Sequence, residues 1–341
     1  MLTVSLTFLG LAAVVALAGT FLARSADQIA EITGLGRLVV GSVLLAAATS
    51  LPELTVDISA VRMGMADLAA GDLLGSCLMN LLILAVLDLL YRSGKKMLSR
   101  EAAAHALSGT LSIALTAIAG MGILAAHSLP EGSFFGIGVW SWGILVAYLL
   151  GVRMIFLDQR ISAQAAVEAA NTLDPAMVES HAAHPPLWKP VAIFAVATAV
   201  IVFVGPMLAE TAGKLAELSG LGKSFVGTTL VALCTSLPEL VASITAMRMK
   251  AVDLVIGNIF GSNVCNMILF VPLDAIHEGS LFRDISPLHS ITALAVILAT
   301  AVATLGQLYR VEKRKWIGEP DALLMLVILI GALVLIYKLP A

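Results

Sequence analysis

Residues 41–53, GSVLLAAATSLPE, recur as GTTLVALCTSLPE at 227–239, a shift of 186 residues. Sliding the chain on itself by that shift pairs 19–88 with 205–274 without a gap, and 31 of the 70 positions are identical. That is far above chance for an Ala/Leu-rich chain and marks an internal duplication. The shared positions include Thr49/Thr235, Ser50/Ser236, Pro52/Pro238, Glu53/Glu239, Gly75/Gly261, Ser76/Ser262 and Asn80/Asn266. Their surroundings are mostly apolar, so the two matched glutamates need an explanation first.

Hydrophobic residues make up 59% of the chain and charged residues 13%, with a mean hydropathy of +0.98. A soluble domain of this length would be far more polar, and the chain belongs in a bilayer. A spanning helix takes roughly 20 mostly apolar residues. Ten such segments are expected near 2–23, 36–61, 67–91, 101–127, 134–157, 190–212, 224–247, 252–276, 288–308 and 322–338. The runs lack the period-2 alternation of a membrane β-barrel, so the expected fold is an all-α integral membrane protein. The net charge of −3 points to no particular partner, and there is no basic tract suited to nucleic acid. Cys77, Cys234 and Cys265 lie inside expected spans and imply neither a disulfide framework nor a redox motif. The first span has no preceding Lys or Arg, and its second half matches 205–212, so it is expected to be retained rather than cleaved.

Positive-inside counting favours an outside N-terminus, with both termini outside the cell membrane. Fifteen Lys and Arg residues then fall on the inner side, Arg24 and Lys95 among them, against five on the outer side. Five helices per copy is an odd number, so the second copy enters the membrane upside down, as in many secondary transporters. The expected organisation is a first repeat over 1–157, a cytoplasmic linker over 158–189 and a second, inverted repeat over 190–341. The linker is the only polar stretch of any length, with room for a surface helix over 163–171. Its His181 and His184 form an HxxH pair without further ligands, a weak metal signal.

Each copy sets a proline in the middle of a spanning helix. Pro52 and Pro238 lack the N–H that the turn before them needs, and their rings crowd it, so each helix should break there. Breaking frees carbonyls at 46–49 and 232–235, which membrane depth tolerates only against protein or a wet cavity. Thr49 and Ser50 stand four and three residues before Glu53, so all three can share a face. In the following helix, Gly71 and Gly75 permit close approach, and Ser76 and Asn80 point an oxygen pair toward the break. The second copy repeats this with Gly257, Gly261, Ser262 and Asn266. Two-fold doubling collects two carboxylates, hydroxyls, amides and carbonyls, all hard oxygen donors of the kind Ca²⁺ takes six to eight of. Ser and Thr in membrane helices often bond only their own backbone. A mid-membrane Glu, however, costs about 2.5–3.5 kcal/mol on insertion scales, and two in matched contexts point to function.

The paired Thr-Ser-Leu-Pro-Glu motifs, with the two Gly-Ser-x-x-x-Asn segments, resemble the α-repeats of the Na⁺/Ca²⁺ exchanger family within the cation/Ca²⁺ exchanger superfamily. The resemblance implies ten helices with the motif helices at the centre, and two long tilted helices near 2–23 and 190–212 that slide to alternate access. It implies Glu53 and Glu239 as the carboxylates for Ca²⁺ and Na⁺. Thr49, Ser50, Thr235, Ser236, Ser76 and Ser262 would line the sites, Ala46 and Ala232 would lend carbonyls, and Asn80 and Asn266 would flank the middle. The transported ions would be Ca²⁺ and Na⁺, with no cofactor and no enzymatic chemistry.

The chain departs from the family pattern at several points. Ala48 and Cys234 replace the usual Gly before the motif, which could narrow the pocket, and Cys77 replaces the usual Asn after Gly-Ser. Two amides at Asn80 and Asn266 argue against K⁺ dependence. Asp72 stands where the second copy has Asn258, and Asp57 where it has Ser243. These aspartates read either as extra titratable groups that would admit H⁺ coupling or as caps and partners of Arg62. Asp88 and Asp274, a matched pair, read as interfacial, and His105, His277 and His289, which have no partner spacing, as ordinary interface residues. The leading expectation is a Ca²⁺/Na⁺ antiporter and the alternative a Ca²⁺/H⁺ antiporter on the same scaffold. A channel would use the same oxygens with an open pathway. An intramembrane aspartyl protease is excluded, because Gly71-Asp72 lacks its sequence context.

Overall fold

The computed structural model describes residues 1–91, 105–128, 132–171, 186–219, 232–308 and 320–338. The helices, in order, are α1 (Leu2–Thr33), α2 (Gly36–Thr49), α3 (Leu51–Arg62), α4 (Ala66–Leu90), α5 (Ala106–Ala126), α6 (Val139–Asn171), α7 (Trp188–Ser219), α8 (Leu237–Arg248), α9 (Val252–Ile276), α10 (Leu281–Asp284), α11 (His289–Leu308) and α12 (Pro320–Lys338). Among the described residues, seven helices are long and apolar enough to cross a membrane, or eight if the bent pair α2–α3 counts as one span. The apolar part of α12, Pro320–Ile336, is shorter. The expected span over 224–247 is described only from residue 232 onward. The protein is thus an all-α, multi-span membrane protein.

The duplication survives folding to the residue. Helices α1 and α7 are both 32 residues long, α3 and α8 both 12, and α4 and α9 both 25, each pair offset by 186. Burial divides them into roles. Of the most apolar stretch of each helix, 78% is buried in α9 and 61% in α4, against 28% in α1 and 22% in α7. The motif-bearing helices therefore form the centre, and α1 and α7 turn leucines and phenylalanines such as Leu9, Leu17, Phe21 and Phe203 outward, toward lipid.

Close packing at the centre rests on glycine. A Cβ on Gly257 would lie 3.1 Å from the Ser42 backbone nitrogen, and one on Gly261 would overlap the Ser42 carbonyl, so α9 lies against the α2 backbone. The outer helices reach across the halves. Gly205 of α7 faces Pro52, where a Cβ would come to 2.8 Å, and Gly19 of α1 faces Val241 and Pro238 at 3.2 and 3.4 Å.

Two features depart from expectation. The chain enters α6 through a small hairpin, β1 (Ser133–Phe134) with β2 (Ile137–Gly138), whose turn residues Phe135 and Gly136 both have positive φ. Asp274 accepts the Gly138 N–H at 2.7 Å and is 1% exposed, so it anchors this hairpin and is buried instead of interfacial. Asp88, its counterpart, is also buried at the end of α4. The helix expected over 163–171 is the continuation of α6, which carries on past residue 158 to Asn171. His181 and His184 lie outside the described residues.

Candidate cation site

The break expected at each proline is present and takes the same form twice. Helices α2 and α3 meet at 41°, with Ser50 at φ −87°, ψ 4° between them. Ser236 sits at φ −82°, ψ 5° between the helical turn over 232–235 and α8. Pro52 and Pro238 then occupy the first turn of α3 and α8, where a missing N–H costs nothing. Glu53 and Glu239 follow in those same first turns, at the positive end of the helix dipole. Residues 40–45 of α2 are π-helical, a local unwinding often found beside functional sites.

All twelve residues named from the sequence as ligands are buried. Thr49, Ser76, Thr235, Glu239, Ser262, Asn266 and Ala46 are 0% exposed, Glu53, Asn80 and Ser236 1%, Ser50 3% and Ala232 4%. The contacts among them pair off across the two copies. Thr49 Oγ1 lies 3.4 Å from Ser262 Oγ, and Thr235 Oγ1 lies 3.4 Å from Ser76 Oγ. The Thr49 hydroxyl donates to Asn258 Oδ1 at 3.3 Å, and the Thr235 hydroxyl to Asp72 Oδ1 at 3.4 Å. The Asn80 amide donates to Asn263 Oδ1 at 3.0 Å, and the Asn266 amide to Cys77 Sγ at 3.8 Å. Each contact recurs with the copies exchanged, the mark of a two-fold relation between like units. The dyad passes through this polar cluster.

The two carboxylates are buried in the same part of the core. Ser50 Oγ and Ser262 Oγ lie 3.4 and 3.5 Å from Glu239 Oε1, and Glu53 is within electrostatic reach of Glu239. Several buried oxygens in the cluster have no hydrogen-bond partner among the described residues: both of Glu53, Oε2 of Glu239, Oδ1 of Asn80 and of Asn266, and Oγ of Ser236. Buried polar atoms are nearly always satisfied, so so many orphaned oxygens in one place are chemically specific. They are hard donors without a matching set of N–H groups, the surroundings a Ca²⁺ or Na⁺ ion completes.

Two residues behave differently from the rest. The Ala46 carbonyl accepts the Ser50 N–H at 3.0 Å and lies 3.2 Å from Thr49 Oγ1. The Ala232 carbonyl accepts the Ser236 N–H at 3.0 Å and lies 3.1 Å from Thr235 Oγ1. In this conformation the chain itself occupies both carbonyls. Cys234 does not narrow the cluster, because it packs with Val15, Leu208 and Ala212 on the far side of the turn.

Sequence spacing missed several relations. Asn258 and Asn263 join the cluster, and only the exchange of Asp72 for Asn258 between copies hinted at the first of them. Asp57 is 0% exposed and lies against Asp72, whereas Arg62 is exposed, so Asp57 is not an Arg62 partner. The three histidines do have partners: His105 with Asp253, His289 with Asp67 and His277 with Asp284, each at 3.2 Å. The first two link helices 148 and 222 positions apart in sequence, which no local spacing could reveal.

Comparison with known proteins decides the family. The sequence profile described as "Sodium/calcium exchanger protein" matches residues 3–157 and 189–338. The chain belongs to the sodium/calcium exchanger family. That family is one of transporters, with Na⁺ and Ca²⁺ its transported ions. Among its relatives, the inner membrane protein YrbG of Escherichia coli is 27% identical over 245 residues, covering 71% of this chain and 70% of YrbG. The sodium/calcium exchanger MaX1 of Methanosarcina acetivorans is 36% identical over 121 residues, a third of each chain. A solved structure of the sodium-calcium exchanger NCX_Mj, soaked with Na⁺ and Sr²⁺, superposes over the full length of both chains with a TM-score of 0.71 at 18% identity. At that identity the likeness is one of fold.

Proposed function

We propose that this family member is a secondary antiporter that exchanges Ca²⁺ for Na⁺ by alternating access. The observation that carries the reading is the set of orphaned oxygens on Glu53 and Glu239, buried together on a two-fold axis with Thr, Ser and Asn donors from both copies. Two carboxylates balance one Ca²⁺, and the same oxygens serve Na⁺ when Ca²⁺ leaves, so the two ions compete for one pair of charges. Thr49, Ser50, Ser76, Asn80 and their counterparts Thr235, Ser236, Ser262 and Asn266 complete the shell. Ala46 and Ala232 would contribute their carbonyls once the Ser and Thr bonds to them are released.

The two-fold relation, with the five spans per copy expected from the sequence, supports an inverted repeat over 1–157 and 190–341 joined by a cytoplasmic segment over 158–189. Both termini would then face outward from the cell membrane. The outer helices α1 and α7 each lie on the motif proline of the opposite copy, so a slide of this pair would carry the breaks with it. Only a loaded transporter would switch face, because the empty acidic pair is too costly to bury.

The test is ⁴⁵Ca²⁺ uptake into proteoliposomes loaded with Na⁺. Uptake should follow the outward Na⁺ gradient and vanish when Na⁺ is replaced inside by choline. A second reading, Ca²⁺ against H⁺, draws on the buried carboxylates of Asp57 and Asp72. Uptake driven by a pH gradient with no Na⁺ on either side would favour it and defeat the first.

A further inference from the structure

The two copies differ most sharply one turn beyond the glutamates. In the second copy, Asn258 Nδ2 donates to Ser243 Oγ at 3.2 Å, a neutral pair that satisfies itself. In the first copy the same two places hold Asp57 and Asp72, which lie within hydrogen-bond reach of each other and bring no N–H, so only a shared proton or a cation can bridge them. Asp57 is 0% exposed, and among the described residues its carboxylate oxygens meet no donor other than a proton shared with Asp72. Asp72 is 4% exposed, and its Oδ2 has no other donor among the described residues. The contact that does reach this pair is the Thr235 hydroxyl on Asp72 Oδ1, from the opposite copy. Glu53, next along the same face, lies within electrostatic reach of both aspartates.

The repeat-2 pair serves as an internal control. The same backbone frame, in the same fold, packs Ser and Asn there with a direct hydrogen bond. The frame therefore does not require acids at these positions. Two further carboxylates beside Glu53 add negative charge that the ion between Glu53 and Glu239 does not balance. Burying both as ions without a positive partner would cost several kcal/mol each, so the pair must hold either a proton or a cation.

We infer that Asp57, Asp72 and the Thr235 hydroxyl form a second hard-cation site, adjacent to the site between Glu53 and Glu239 and confined to the first copy. The inference rests on the exchanger reading for its neighbour, and deepens it: the protein carries an extra cation on one side of its dyad. The donors are carboxylate and hydroxyl oxygens, so the ligand is an alkali or alkaline-earth cation; both ions named by the family fit, and the experiment separates them. Thr235 also touches Ser76 of the central cluster at 3.4 Å, which places the two sites on one hydroxyl and lets occupancy of one alter the other.

The test is equilibrium dialysis of the purified full chain in detergent, with ⁴⁵Ca²⁺ and, separately, ²²Na⁺. The double variant Asp57→Ser/Asp72→Asn installs the second copy's own pair. It should lose one bound equivalent of one of the two ions and retain Ca²⁺ binding at the glutamates, with the ion that loses its equivalent identifying the occupant. Unchanged counts of both ions would overturn the inference, as they would if protons alone neutralise the pair. Should the double variant fail to fold, the single, isosteric Asp57→Asn and Asp72→Asn variants carry the same count. Glu53→Gln and Glu239→Gln run in parallel: a Ca²⁺ count left unchanged by both defeats the exchanger reading itself, whatever the aspartate variants show.

Discussion

The two copies of the motif break their helix at the same proline and hold their threonine and serine contacts at equal distances, yet their polar interiors are not alike. In the second copy, Glu239 has one oxygen within reach of Ser50 and Ser262, and Ser243 with Asn258 form a closed neutral pair. In the first, both Glu53 oxygens are orphaned among the described residues, and two aspartates stand where the second copy has its neutral pair. Backbone symmetry is thus kept where it shapes the cage, and discarded where charge is set. The lesson is that duplication supplies the geometry of an ion site, and substitutions off the axis tune its electrostatics one side at a time.

The largest expected effect tests the shared part. Glu53→Gln and Glu239→Gln should each abolish Ca²⁺-dependent flux, a fall of about 100-fold or more for loss of a charged ligand from a buried site, while surface expression stays near wild type. ⁴⁵Ca²⁺ flux in proteoliposomes measures it. Equal losses would sharpen the two-fold picture, whereas a Glu53 variant that still transports would break it.

Next come the amides beside the axis. Asn80 and Asn266 each donate across to the other copy and keep an orphaned oxygen. Asn80→Asp or Asn266→Asp replaces that oxygen with a charge and a lost N–H, and should shift the Ca²⁺ to Na⁺ preference by about tenfold, or 1.4 kcal/mol. Competition of Na⁺ against ⁴⁵Ca²⁺ binding reads the shift. No change in either variant would remove the amides from the ion shell.

Much of this arrangement was legible in the sequence, for physical reasons that can be traced. Apolar runs and a fixed 186-residue repeat specify spanning helices and a two-fold middle, and a mid-span Pro followed by Glu specifies a break beside a charge. The twelve residues so named are all buried, and eight of them, Thr49, Ser50, Ser76, Asn80, Thr235, Glu239, Ser262 and Asn266, make polar contacts across the two copies. The histidine pairs were not legible, because His105 finds Asp253 and His289 finds Asp67 only once distant helices pack. Nor was the closure of the Ala46 and Ala232 carbonyls, since a serine N–H one turn on can refill an acceptor that proline leaves open. The face-to-face approach of Asp57 and Asp72 needed the α3–α4 packing angle, which spacing alone does not contain.

A smaller, kinetic difference is expected where the outer helices ride on the prolines. A methyl group on Gly205 would meet Pro52 at 2.8 Å, but one on Gly19 would meet the movable Val241 side chain at 3.2 Å. Gly205→Ala should therefore slow turnover more than Gly19→Ala, by about 3- to 10-fold if overpacking of about 1 kcal/mol falls on the switching step. Equilibrium Ca²⁺ binding should stay unchanged in both. Turnover from initial uptake rates, set beside binding on the same samples, separates the two effects. Equal slowing would mean that the halves bear on their prolines alike.

The smallest effect belongs to the paired His–Asp links at the start of α4 and α9. His105 is 0% exposed while its partner Asp253 is about half exposed; His289 is 20% exposed and Asp67 is again about half exposed. An ion pair open to solvent contributes about 0–1 kcal/mol, and here only while the histidine is protonated. His105→Asn should nonetheless cost more stability than His289→Asn, because it also vacates a fully enclosed ring site and strands less of its loss in solvent. The difference should be about 1 kcal/mol, visible as a lower midpoint in thermal unfolding of detergent-solubilised protein. Asp67 has a second tie, the Ser286 N–H at 2.7 Å, which holds its helix end after His289 is gone. If His289→Asn proved the more damaging, that tie would be the weaker one, and the asymmetry between the copies would extend beyond the carboxylates to the ends of the helices that carry them.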